Sequence, residues 1–209
     1  KATLLSFHRH NTQTRIPKLL SLLEQGQSLA LISDAGLPGI SDPGEQLVLA
    51  SQKAGHDVIC IPGPCAATTA LVSSGLPSTR FCFEGFLPTK GKDRQQRLSI
   101  IAQENRTTIL YEAPHRLVRL LEELMILCGD DRPLQVAREL TKRHEEKIGP
   151  TIGVALKHFL THRPVGECTV VLGGSTDAIP EKVNESEIIA EMQSLITEGM
   201  SASEAARNI

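Results

Sequence analysis

Apolar and polar positions fall into two recurring patterns, short continuous apolar runs and helical stripes. Ala2–Leu5, Ser28–Ser33 (SLALIS) and Val58–Ile61 are compact apolar runs, the pattern of strands buried on both faces of a parallel sheet. Arg15–Gln25 carries leucines at 19, 20, 22 and 23, and Gly26 closes that helical face. Gln46–Ala54 and Ala66–Ser74 read as helices ended by Gly55 and Gly75. The repeated order of strand, loop and helix predicts an α/β lobe with a parallel sheet over residues 1–77.

Beyond Leu76-Pro77 the pattern changes. Arg80–Lys92 (RFCFEGFLPTKGK) gathers three of the five phenylalanines among several bases without a clear period. Helices are expected over Arg94–Gln103, His115–Cys128 and Gly153–Leu160. Strands are expected over Thr107–Tyr111, Leu134–Ala137 and Cys168–Leu172. Together they predict a second α/β lobe over 78–176. Residues 177–209 read as an acidic helical extension, with one helix over Glu185–Glu198, a turn at Gly199 and a second helix that stops at Ile209.

Composition narrows the class. The chain has 209 residues, 40% apolar and 22% charged, and its mean hydropathy is -0.09, as in ordinary globular domains. No apolar run reaches the roughly 18 residues of a membrane span, and no secretory leader is visible. The five cysteines (60, 65, 82, 128 and 168) form no CxxC pair. They are expected to be reduced, buried thiols, consistent with a cytoplasmic protein. Net charge is -2, but residues 177–209 hold seven acids against two bases. The main body is therefore mildly positive, which permits an anionic partner without requiring one.

Five segments could carry chemistry. SDAGLPGISDPG (33–44) follows an apolar run, at the strand end where open α/β sheets bind ligands. The alternative is a tight turn capped by Ser41 or Asp42, though twelve residues is long for a turn. IPGPCAA (61–67) combines a stiff turn with small residues at a helix start, fit for a ligand or for close helix–sheet packing. TILYEAPHR (108–116) ends a strand in Tyr111-Glu112, and Arg116 could clamp Glu112. ARELTKRHEE (137–146) is a mixed-charge stretch, and SFHRHN (6–11) holds His8, His10 and Asn11. No third ligand stands at metal spacing near that H-x-H pair, so no metal is expected. GFLPTKGKD (85–93) has five residues between its glycines and Asp93 where a P-loop has Ser or Thr.

In this order, SDAGLPGISDPG, IPGPCAA, FEGFLPTKGKDRQQR, YEAPHR and ARELTKRHEE resemble the bacterial small-subunit ribosomal RNA 2′-O-ribose methyltransferase I family, within the tetrapyrrole-methylase superfamily. The resemblance runs from about Ser6 to Gly174. It implies two α/β lobes of the tetrapyrrole-methylase type with S-adenosylmethionine (SAM) in the cleft between them, and a homodimer. It implies a cytidine in the decoding region of 16S ribosomal RNA, within the small ribosomal subunit, as substrate. Family members start earlier, with a further strand and Gly/Pro loop, so the chain reads as a fragment of a longer protein. Val165 before Gly166-Glu167, and Lys147-Ile148-Gly149-Pro150 after the HEE motif, depart from the family pattern.

Carried over residue by residue, the resemblance assigns Asp34, Ala35, Gly36 and Ile40 to the cofactor. Cys65 and Ala66 line its methionine side, Tyr111 and Glu112 bound its adenosine, and Leu140 and Thr169 complete the set. The candidates for taking up the ribose hydroxyl proton are Glu84, Glu112, His8 and Glu139. Lys90, Lys92, Arg94, Arg97, Arg116, Arg138 and Lys142 are expected to meet RNA phosphates. Two other functions stay open: tetrapyrrole C-methylation on the same fold, and a non-catalytic SAM- or RNA-binding module.

Overall fold

The structure is a computed structural model that describes residues 3–176, 185–197 and 199–208. Three helices come first: α1 (Thr12–Glu24), α2 (Glu45–Lys53) and α3 (Ala66–Ser74). Strand β1 (Phe81–Phe86), helix α4 (Lys92–Gln103), strand β2 (Thr107–Glu112) and helix α5 (Pro114–Cys128) follow. Then come β3 (Leu134–Arg138), β4 (Glu146–Ile148), α6 (Ile152–Thr161) and β5 (Cys168–Leu172). The tail carries α7 (Glu185–Thr197) and α8 (Ala202–Asn208). Residues 177–184, Glu198 and Ile209 of the expected helical extension lie outside the described residues.

Local chemistry explains the long elements. α5 starts with Pro114, whose ring pre-sets the helical φ and whose missing N–H would have gone unbonded there. Its Leu117, Leu120, Leu121 and Leu124 recur on one face and are all buried. α6 starts where the Thr151 hydroxyl accepts from Val154 N–H. α3 ends at Gly75, whose φ of 70° is left-handed.

The sheet has the order β1-β2-β5-β3-β4. Only β1 and β2 run parallel, joined through α4. β2–β5, β5–β3 and β3–β4 are antiparallel. The last strand inserts between β2 and β3, a non-local pairing that no local pattern announces. One face, with Leu110, Val136, Val170 and Leu172, packs under α4, α5 and α6. The other, with Ile109, Ala137 and Val171, packs on Ala67, Ala70 and Leu71 of α3. Residues registered across the ladders share a face and neighbours along a strand alternate. Tyr111, Thr169 and Ala137 therefore face α3, whereas Glu112 points to the α4/α5 side.

Three expectations change. First, 28–33 and 58–61 form no helix and belong to no ladder among the described residues. Their side chains are open, with Ile32 76%, Ile59 81% and Ile61 74% exposed. An apolar run becomes a buried strand only when a neighbouring backbone completes its hydrogen bonds, and none does so here. Leu4 and Leu5 likewise form no described strand, and Ala2 lies outside the described residues. Second, the phenylalanine-rich stretch contains β1. Its alternation is hidden because Glu84 is an extra residue in a bulge between Phe83 and Gly85. Third, of the five free cysteines only Cys168 is buried, and Cys60 is exposed.

Candidate functional site

The expected cofactor residues meet mainly at one place, where the C-terminal end of β2 approaches the start of α3. Tyr111 projects from β2 on the α3 side, and its hydroxyl accepts from Ala67 N–H at 3.1 Å. Cys65, Tyr111 and Leu140 pack on the same apolar cluster. Thr169 is registered opposite both Tyr111 and Ala137. Ala66 opens α3 beside them.

The loop 33–44 reaches the same place. A Cβ on Gly36 would lie 3.7 Å from the Pro64 carbonyl oxygen, so this loop, carrying Asp34 and Ala35, abuts the 61–67 turn. A Cβ on Gly85 would stand 3.0 Å from Ser41 Oγ, which brings the far half of the loop against the β1 bulge. Ile40 instead lines an apolar hollow of about 510 Å³ with Leu37, Val48 and Cys60.

Backbone strain gathers in these segments. The described non-glycine residues at positive φ are Ser41 (55°), Glu139 (50°) and Thr141 (65°). They lie in the 33–44 loop and on either side of Leu140. Such conformations cost on the order of 1–3 kcal/mol each and persist where the surroundings enforce them.

Titration behaviour follows the packing. Burial raises the Cys65 thiol, but hydrogen bonds with Thr68, Ala67 and Tyr111 outweigh it and leave its pKa below that of an ordinary cysteine. Burial, with Cys65 beside it, pushes the Tyr111 phenol up to about 12. Burial likewise drives Cys168 to about 11. The Lys142 ammonium, hydrogen-bonded at 3.1 Å, holds the Glu139 carboxyl down, and Lys142 is raised in return.

Several expected roles need correction. Glu112 cannot bound a ligand beside Tyr111, because successive strand residues point to opposite faces. Its side chain is fully buried, with Oε1 2.6 Å from Arg116 Nη2 and Oε2 3.8 Å from Arg94 Nη1. The same burial removes it as a proton acceptor and realises the Glu112–Arg116 clamp. Arg94, expected to face phosphate, is 2% exposed. It forks onto Glu123 at 2.9 and 2.5 Å and donates to the Pro88 carbonyl at 2.9 Å.

Glu123 and Arg119, which are not among the expected site residues, share that network. Arg119 Nε donates to Glu123 Oε1 at 3.1 Å and its Nη1 to the Thr89 carbonyl at 3.4 Å. The only local signal was the i,i+4 spacing of Arg119 and Glu123. The other expected cations vary. Arg97 pairs with Glu84, Arg138 with Glu146, and Lys142 with Glu139 and Glu167. Lys90 and Lys92 are exposed. His8 is exposed, its ring Nε2 3.1 Å from Asn11 Nδ2.

The mixed sheet, its flanking helices and the small-residue helix start facing a strand-end tyrosine make an α/β architecture with a candidate ligand cleft at the strand end. The solved uroporphyrin-III-C-methyltransferase of Thermus thermophilus shares the fold, with a TM-score of 0.58 and 21% identity, over 83% of this chain and 74% of that one. The pattern of the family Tetrapyrrole (Corrin/Porphyrin) Methylases matches residues 2–155. The Ribosomal RNA small subunit methyltransferase I of Synechocystis is 47% identical over 205 residues, 98% of this chain and 74% of that protein. The protein of that name from Thermotoga maritima is 44% identical over 174 residues, 83% of this chain and 78% of its own. The chain thus belongs to the tetrapyrrole methylases and, within them, to the ribosomal RNA small subunit methyltransferase I family.

Proposed function

We propose that the chain transfers a methyl group from SAM to a ribose 2′-hydroxyl of 16S ribosomal RNA. The observation that carries this reading is the 47% identity that runs over nearly the whole chain to a ribosomal RNA small subunit methyltransferase I. We further read the substrate as a cytidine of the decoding region within the small subunit, the working form as a cytoplasmic homodimer, and the lobes as 1–77 and 78–176 with 177–209 as an extension. A likeness to tetrapyrrole methylases at 21% identity is a likeness of fold, and fold alone does not transfer a substrate.

The donor set suits SAM. Small residues open α3, where the 61–67 turn abuts the loop that carries the Asp34 carboxylate, a group suited to a cationic ligand. We assign Asp34, Ala35, Gly36, Cys65, Ala66, Tyr111, Leu140 and Thr169 to it, and retain Ile40 as a more distant contact. When bound, SAM supplies a methyl group already activated on a sulfonium. The protein then has to align the ribose hydroxyl and accept its proton.

Glu139 is the acceptor we favour. It is ionised, strained, and next in sequence to Leu140. Glu84 is held by Arg97 as Glu139 is held by Lys142, so Glu84 stays a candidate beside it, as does His8 before α1. We read Lys90, Lys92, Arg138 and Lys142 as meeting RNA phosphates, and Arg97, paired with Glu84, as facing RNA without a phosphate contact. Cations on phosphates provide most of the affinity, and positioning by them carries no sequence information of its own.

Deleting the gene in its host and analysing 16S ribosomal RNA nucleosides by mass spectrometry tests the reading. One 2′-O-methyl nucleoside should revert to its unmethylated form. Survival of every ribose methyl overturns the reading, and porphyrinogen methylation then becomes the assay. In the full-length enzyme, Tyr111→Phe removes the acceptor of the Ala67 N–H, a hydrogen bond worth about 1 kcal/mol. It should weaken SAM binding severalfold.

A further inference from the structure

We propose that the groove between the β1 bulge and α4 is a nucleobase-binding subsite for the RNA substrate. This rests on the RNA methyltransferase reading above and adds to it where a base is held. The groove has a volume of about 520 Å³ and is lined by Glu84, Phe86, Pro88, Asp93, Arg97 and Ile100, among others.

Four observations point to a base rather than a phosphate or an apolar ligand. The Phe86 ring is 54% exposed, yet it leans on Tyr111 with centroids 5.6 Å apart. It is a braced, open aromatic face, the kind on which bases stack. Phe86 lines the groove and touches Tyr111, so the groove adjoins the proposed cofactor site.

Second, the bulge turns Glu84 toward Arg97. The guanidinium donates through Nε and Nη2, the latter at 2.8 Å to Glu84 Oε1. That fork leaves Arg97 Nη1 without a recorded partner, and each carboxylate oxygen keeps a free lone pair. The groove thus keeps both donor and acceptor capacity without breaking the pair, as a base edge with an amino group and a ring acceptor requires.

Third, Glu84 and Asp93 set two carboxylates against one guanidinium. That balance repels phosphate and suits a neutral base, while Lys90 and Lys92, at the end of the 87–91 loop, can hold the flanking phosphates. Fourth, the wall does not need to be ordered on binding. The Pro88 carbonyl accepts from Arg94 and the Thr89 carbonyl from Arg119, and both arginines pair with Glu123. A pre-formed wall costs less to bind.

The test uses the full-length enzyme, small ribosomal subunits from a strain lacking the gene, and tritiated SAM. Phe86→Ala should raise KM for the subunits about tenfold, the loss of roughly one stacked base, and leave the Kd for SAM within twofold. Phe86→Tyr should restore KM, and Arg97→Gln should raise it severalfold. An active wild type whose KM is unmoved by both Phe86→Ala and Arg97→Gln overturns the subsite and leaves the RNA reading standing. A KM raised equally by Phe86→Ala and Phe86→Tyr also overturns it, because stacking was then not the cause. A wild type that methylates no subunit overturns the RNA reading, and the subsite with it.

Discussion

Arg94→Ala is the most informative single change, because surface and buried readings of this residue predict opposite results. Its guanidinium is 2% exposed, forks onto Glu123, donates to the Pro88 carbonyl and stands 3.8 Å from the fully buried Glu112. Removing one member of a buried pair costs about 3–5 kcal/mol because the remaining charge is left uncompensated. Here each carboxylate keeps a second arginine, Arg116 for Glu112 and Arg119 for Glu123. The loss should therefore sit near the lower end, about 3 kcal/mol. For a chain of this length each kcal/mol lowers Tm by about 2–4 °C, so thermal unfolding followed by circular dichroism should shift down by about 6–12 °C. Arg94→Met, which keeps the volume of the stem, should fall nearly as far, since the missing element is charge. The slope of log RNA affinity against log salt should stay unchanged, because a buried guanidinium releases no phosphate counterion. A Tm within about 3 °C of wild type, together with a salt slope reduced by about one, would falsify the burial argument and return Arg94 to the RNA face.

Two further predictions follow from titration. Iodoacetamide should alkylate Cys65 with a pH midpoint below the ordinary thiol value of about 8.5, and SAM should slow the reaction. Cys168, pushed to about 11 by burial, should not react in the folded protein, and equal reactivity of the two would contradict the packing around Tyr111. Glu104 is lowered to about 2, chiefly by its hydrogen bond with Arg106. A carboxyl depressed in the folded state contributes stability that is present above its unfolded pKa of about 4.3 and lost as pH falls through the folded value. Glu104→Gln should therefore flatten the stability loss between pH about 4.5 and 2, as read from urea midpoints, and an unaltered pH profile would contradict it.

Many elements were legible in the sequence because they are locally self-consistent. Helix α3 and strand β5 occupy the expected residues, and α5 begins one residue early at its proline. Sheet order was not legible, because inserting β5 between β2 and β3 depends on contacts far apart in sequence. The apolar runs at 28–33 and 58–61 obeyed the strand pattern, but pattern supplies no ladder partner. At the candidate site, family motifs named residues without their faces. Tyr111 and Glu112 were assigned together, yet one side of β2 meets α3 and the other meets Arg94 and Arg116. Arg94 misled for a related reason: in sequence it stands among lysines and glutamines, and its partner Glu123 lies 29 residues away on another helix.

The bulge in β1 acts as a parity switch. Phe81, Phe83 and Phe86 are registered with Thr107, Ile109 and Tyr111. All three rings therefore share the side of Tyr111, although in an uninterrupted strand residue 86 would fall on the opposite side. The extra residue restores the count. Homologous strands can thus exchange almost any side chain at position 84 and keep the aromatic row. Losing that single position would leave every phenylalanine in the sequence and still turn the last ring away from the tyrosine. Along this strand, length is a stricter constraint than residue type.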